Sequence, residues 1–218
     1  MIRSILILLV ALSVNFAQAA DTHVLTDTNG KPIECILLDY ERGHVLLEMA
    51  GEKYSLPLSR FSPASNRAVL DWAADRALRN GEVRIHISGA NRNSERDEDN
   101  RQIQHVNYEV TIQNDSKLDI DGLEVEYKIY WLDGRVEVSD PFYFWIDRGE
   151  VIKRLNVRER FRFETARITL NEREKRKDTS IGIWVRLYRN GQALHEVSYP
   201  SGLLQRVDWK NMSLEAIY

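Results

Sequence analysis

Gly122–Trp131 reads GLEVEYKIYW, and its side chains alternate: Leu123, Val125, Tyr127, Ile129 and Trp131 fall against Glu124, Glu126, Lys128 and Tyr130. A period of two is that of a half-buried β-strand, with one set facing a core and the other facing water. The inward set is bulky and needs a second layer over it, which predicts a β-sandwich built around this strand. Glu124, Glu126 and Lys128 are then expected to be solvated scaffold.

The same pattern extends to both sides. Glu82–Ser88 points Val83, Ile85 and Ile87 one way, and Ile103–Gln113 aligns Val106, Tyr108, Val110 and Ile112. Phe142–Ile146, Glu150–Val157, Phe161–Leu170, Ser180–Arg189 and Gln192–Tyr199 bring the count to about seven strands, as a sandwich requires. Asp133-Gly134 and Asn190-Gly191 are hairpin signals. Ser180–Arg189 is bulky on both faces, which predicts a central strand with Trp184 covered by a neighbouring loop or by the first unit. Gly89–Gln102 is nearly free of apolar residues and reads as a long mobile loop. Asn114-Asp115-Ser116 reads as a turn, and Glu172–Asp178 as a solvated hairpin tip.

Upstream, His23–Thr26, Pro32–Tyr40, His44–Met49 and Lys53–Leu56 are four short strands at the spacing of a small barrel. Ser62-Pro63 opens a helix with a capping serine and an N1 proline, and Asn80-Gly81 ends it after about Leu78. The predicted organisation is a signal peptide over 1–19, an SH3-like barrel over 20–62, a connecting helix over 63–81, a sandwich over 82–200 and a C-terminal tail over 201–218. The fold class is mainly β.

Arg3, the apolar run Ile5–Val14 and Ala17-Gln18-Ala19 have the form of a cleavable secretory signal. The run is shorter than the ~20 residues of a membrane span. An exported protein, periplasmic or extracellular, with no integral membrane segment after cleavage is therefore expected. Cys35 is the sole cysteine, so no internal disulfide forms, and its strand setting predicts a buried, inert thiol.

Two resemblances accompany this reading. Thr26-Asp27, Gly30-Lys31, Gly43 before Val45-Leu46-Leu47, Lys53–Leu56, Pro57-Leu58 and Leu70 after Phe61-Ser62 resemble the Sla-one homology domain over roughly residues 21–74. That resemblance implies an SH3-like barrel and peptide binding in general. The alternating central strand and the late Gly182-Ile183-Trp184-Val185-Arg186-Leu187-Tyr188 strand resemble the Ig-like and fibronectin-type modules of secreted proteins.

No chemical motif stands out. His23, His44, His86, His105 and His195 are scattered without metal-ligand spacing, although His86 and His105 would approach each other if their strands paired. No catalytic set, metal site or cofactor is expected. Thirty basic and 33 acidic residues are mixed along the chain for a net charge of −3, which gives nucleic acid no electrostatic footprint. Aromatic residues remain as binding candidates: Tyr40 and Tyr54 in the first unit, and Tyr143 and Trp145 in the dense cluster Pro141–Trp145. The expected function is that of an exported, non-enzymatic binding or structural module recognising peptide, protein or cell-envelope material. The alternative is an envelope hydrolase or metal-dependent enzyme with an interdomain site.

Overall fold

The computed structural model describes residues 21–132, 143–173, 176–205 and Trp209, without the side chains of 143–145, 172–173 and 176–177. The proposed signal peptide, the Asp133-Gly134 turn and most of the C-terminal tail lie outside the described residues. The chain is mainly β and its sheets are antiparallel.

Strands β1 (Thr22–Thr26), β2 (Pro32–Glu41), β3 (His44–Met49) and β4 (Glu52–Pro57) form one meander in that order. Its turns fall where backbone freedom is available: Gly43 and Gly51 have φ of 80° and 83°. The sheet is open, because β1 and β4 do not pair. The chain after β4 instead crosses to the end of β1, where Ser62 N donates to Thr26 O at 2.8 Å and Thr28 N donates to Arg60 O at 3.1 Å. That crossing takes up main-chain groups that barrel closure would have used.

Helix α1 (Pro63–Arg79) follows, capped by Ser62, whose side chain accepts from the Ser65 amide. One face of α1 seals the meander: Val69 packs with Leu25, Cys35, Leu37, Val45, Leu47 and Phe61. The next face, Ala73, Ala74, Ala77 and Leu78, joins a second and larger core. Small residues there let the helix sit close, and Ser65 Oγ adds a hydrogen bond from Thr26 N at 2.7 Å.

The second core lies between two layers. One is the three-stranded sheet of β5 (Val83–Ile87), β8 (Glu109–Asn114) and β11 (Arg160–Glu164), in the order β11-β8-β5; between β5 and β8 run β6 (Asn91–Arg96) and β7 (Gln102–Asn107). The other is made by β9 (Ile120–Leu132), β10 (Tyr143–Leu155), β14 (Thr179–Arg189) and β15 (Gln192–Tyr199), in the order β10-β9-β14-β15. The chain crosses between the layers from β8 to β9 and again from β10 to β11, as in an Ig-like sandwich. Leu123, Val125, Tyr127 and Ile129 of β9 face Val83, Ile85, Val110 and Ile112, and all are buried. Each buried aliphatic side chain of this kind contributes about 1.5–3 kcal/mol.

Three elements differ from their sequence reading. The stretch read as a mobile loop contains β6, which pairs with β7 from Asn91↔Asn107 to Arg96↔Gln102. Every residue of β6 is exposed, so pairing rests on the main chain and leaves no apolar signature. The stretches read as single strands over 103–113 and 161–170 each break at one level. There Tyr108 N donates to Thr165 Oγ1 and Thr165 N to Tyr108 O, both at 2.9 Å. Beyond this break β7 pairs with β12 (Ile168–Arg173), which also pairs with the short β13 (Arg176–Lys177). Third, β10 is one continuous edge strand of 13 residues along β9.

Asn114 and Ser116 are a buried polar turn. Asn114 Nδ2 donates to Leu118 O at 2.9 Å and to Leu155 O at 3.0 Å, and Ser116 Oγ donates to Asn114 Oδ1 at 2.6 Å. These bonds satisfy the carbonyls that enter β9 and leave β10, which explains how two polar residues are tolerated with almost no exposure.

Candidate functional site

The two cores share α1, and where its first turns diverge from the sandwich they leave a cleft of about 1020 Å³. Its helical wall is Pro63, Asn66, Arg67, Leu70, Asp71 and Ala74, which recur at three- and four-residue spacing and so share one stripe. Its opposite wall is one end of the sandwich: Lys117–Asp119 before β9, Gly122 within it, Arg154 near the end of β10 and Val157 after it, and Arg189-Asn190 at the β14–β15 turn. Tyr40 lines this cleft and also an adjoining cavity of about 200 Å³ with Asp39, Arg76 and Lys117.

An ion cluster centred on the buried Arg189 contributes to both walls of the cleft. Arg189, 7 % exposed, pairs through Nη1 with Asp75 Oδ1 at 2.7 Å and through Nη2 with Asp71, while Nε donates to Asp121 O at 3.1 Å. Burial acts to lower the guanidinium pKa, but the hydrogen bonds that it donates to Asp71 and Asp75 outweigh this and raise it. The arginine is therefore fully charged and its fork is committed to the helix.

The outer parts are less committed. Arg154 pairs with Asp119 at 2.5 Å, and Val157 N donates to Asp119 Oδ1 at 2.9 Å. Arg154 first, and the Val157 amide second, hold the Asp119 carboxyl below the usual carboxylate range. Lys117 is paired with Glu41 at 3.2 Å. Arg67 is exposed and makes no hydrogen bond or ion pair with the described residues. Asn66 Oδ1 is buried and accepts no hydrogen bond. Leu70 and Val157, 37 % and 39 % exposed, present apolar surface from opposite walls. An unsatisfied acceptor, an unpaired guanidinium and two apolar side chains suit a ligand that carries an amide, an anion and a hydrocarbon group.

Of the residues singled out from sequence, Tyr40 is brought into this cleft. Tyr54 is not: it lies on the edge strand β4, where its hydroxyl donates to Glu52 Oε2 at 2.6 Å. The side chains of Tyr143 and Trp145 lie outside the described residues. Asn66, Arg67, Leu70 and Arg189 carried no motif. Their only sequence signals were an exposed leucine on a helix and an arginine immediately before Asn190-Gly191.

His86 and His105 do not meet. His86 pairs in register with Thr111 of β8, whereas His105 lies on β7 opposite Thr169 and Asn93. His105 instead links Thr169 Oγ1 at 3.2 Å to Glu95 Oε1 at 3.0 Å. That polar relay is on an open sheet face, outside the cleft lining. Among the described residues no three His, Cys, Asp or Glu side chains are grouped to hold a metal ion.

No family model and no curated protein matches the chain. Among solved structures, the chain is similar to a protein of Akkermansia muciniphila, with 13 % identity, a TM-score of 0.34 and coverage of 60 % of this chain and 78 % of the other. It is also similar to the alkylpurine DNA glycosylase of Pseudomonas fluorescens bound to DNA containing an abasic site analogue: 16 % identity, TM-score 0.30, 63 % of this chain and 39 % of the enzyme. A β-glucosidase of Streptomyces venezuelae in complex with D-glucose matches at 12 % identity and a TM-score of 0.21, over 53 % of this chain and 14 % of the enzyme. Likenesses this slight carry no statement about activity.

Proposed function

We propose that the protein is an exported, non-enzymatic binding module that recognises a peptide or protein segment, possessing its ligand site in the cleft between α1 and the end of the sandwich. Export rests on the signal-like sequence of residues 1–19. Among the described residues no helix is long and apolar enough to cross a membrane. The observation that carries the binding reading is the pairing of Asn66 Oδ1, buried without a donor, with Arg67, exposed without an anion, beside Leu70. A peptide main-chain amide would satisfy the first, a carboxylate the second, and an aliphatic side chain would fill the gap between Leu70 and Val157.

The Sla-one homology resemblance also points to peptide recognition, but through the meander; the cleft belongs to α1 and the sandwich. An envelope hydrolase or metal-dependent enzyme with an interdomain site would need a proton-transfer pair or a ligand cluster within this cleft. The reading is tested by affinity capture from envelope extract and culture medium with the mature chain and with Arg67→Glu/Leu70→Asp. Both positions are exposed, so the variant should melt like the parent while losing captured material about tenfold or more. Capture unchanged by a folded variant would exclude the cleft.

A further inference from the structure

The cavity of about 200 Å³ beside the cleft carries a charge that nothing in the fold balances. Tyr40, Lys117 and Leu118 line both spaces, so the two meet along α1. The two cations that line the cavity already have carboxylate partners. Arg76 pairs with Asp39 at 2.5 Å and lies over the Trp72 ring, 5.5 Å from its centroid, while Lys117 pairs with Glu41 at 3.2 Å. Glu82 lines the same cavity and is half-buried, yet its side chain makes no hydrogen bond or ion pair with the described residues.

The main chain at Glu82 is held from both sides. Its N–H donates to Ala77 O and its carbonyl accepts from Asp115 N, both at 2.9 Å, in the turn between α1 and β5. The backbone that carries this carboxylate is therefore fixed at one end of the combined groove, while the unpaired Arg67 stands nearer the start of α1. An anion set back from water attracts a cation more strongly than an exposed one, because less solvent screens it. Tyr40 and Leu118 offer the hydrocarbon stem of a basic side chain a surface to lie on while its charged end reaches Glu82. The cavity is smaller than the roughly 300 Å³ at which sites for whole ligands begin, which suits one side chain.

We infer that the groove takes a peptide bearing two opposite charges: a basic side chain enters the cavity against Glu82, and a carboxylate of the same peptide meets Arg67. This rests on the reading of the cleft as a peptide site and names the charge pattern of its ligand. The helical rise from Arg67 to Arg76 is about 14 Å. An extended peptide covers that distance in about four residues, at roughly 3.3 Å each, which sets the separation of its two charges.

The test uses labelled synthetic peptide pools with blocked ends, in which an aspartate and a lysine, in either order, flank three positions randomised among alanine, valine and leucine. Control pools replace the lysine by glutamine, the aspartate by asparagine, or leave a single position between the charges. By fluorescence anisotropy the parent chain should bind one order of the two-charge pool about tenfold or more tightly than each control. Glu82→Gln, which keeps the shape of the side chain, should abolish the preference for lysine and retain that for aspartate; Arg67→Gln should do the reverse. Circular dichroism and melting confirm that both variants are folded. Binding that needs aspartate and Arg67 but is indifferent to lysine, to the spacing or to Glu82→Gln overturns this inference and leaves the cleft as a peptide site. Binding of no pool, or binding that neither variant changes, overturns both.

Discussion

Arg189 Nη1 and Asp75 Oδ1 stand 2.7 Å apart, joining the turn between the last two sandwich strands to the middle of α1. Asp71, one helical turn earlier, takes the other arm of the same guanidinium. The helix is thereby fixed to the sandwich through a nearly buried charge, and its N-terminal turns are left as one wall of the cleft.

Removing that charge should be costly, because two carboxylates would lose their partner in a partly dry site. Arg189→Met is expected to destabilise the chain by about 1–2 kcal/mol, between the values for exposed and buried pairs, because Asp71 and Asp75 keep 44 % and 25 % of their side chains in water. Chemical denaturation measures it. Loss of only a few tenths of a kcal/mol would show that the ion cluster does not hold the helix.

Gly182 has a φ of +154°, and a Cβ there would lie 2.8 Å from Pro200 Cδ. The residue sits at the register shift between β14 and β9, with the chain after β15 packed against it. Gly182→Ala should cost about 2 kcal/mol or more through overpacking and backbone strain. A melting temperature equal to that of the parent would contradict the close approach.

Acid should weaken the fold in two stages. Burial holds His195 below its ordinary value of about 6.5, against the opposing charge of Glu196. The unfolded chain then binds the extra proton first, so stability present above about 6.5 falls as pH drops toward the lower native value. His195→Gln should flatten this limb. Asp119, lowered by Arg154 and the Val157 amide, contributes stability above the ordinary carboxylate range and loses it as pH falls through its native value. Asp119→Asn should remove part of that second limb. Urea titrations at a series of pH values test both signs.

Cys35 is 3 % exposed, and burial pushes its thiol pKa up. The native chain should react with a thiol-directed disulfide reagent only at the rate of opening, and at full speed in denaturant. Rapid reaction under native conditions would contradict the packing of β2 against α1.

The β architecture was legible where one face is apolar and the other polar, as in Leu123–Ile129 and Val83–Ile87. It was illegible in β6, because Asn91–Arg96 pairs through its backbone with both faces in water. The outer face of β9 misled for a different reason: Lys128 is buried by Trp209, a residue 81 positions away along the chain. The cleft escaped for a similar reason. Pro63–Ala74 reads only as the first turns of a capped helix, and only the approach of Asp119, Arg154 and Arg189 from three separate stretches of the chain makes one of its stripes a wall. Tyr40 was singled out as one of the aromatic residues of the first unit and lines the cleft, whereas Asn66 and Arg67 become distinctive only through the partners they lack among the described residues.

The most direct test is the comparison of ligand capture by the parent chain and by Arg67→Glu/Leu70→Asp, with folding checked by circular dichroism and melting. The cleft account predicts captured peptide or protein with the parent and about tenfold less or none with the folded variant. Equal capture by both would contradict it.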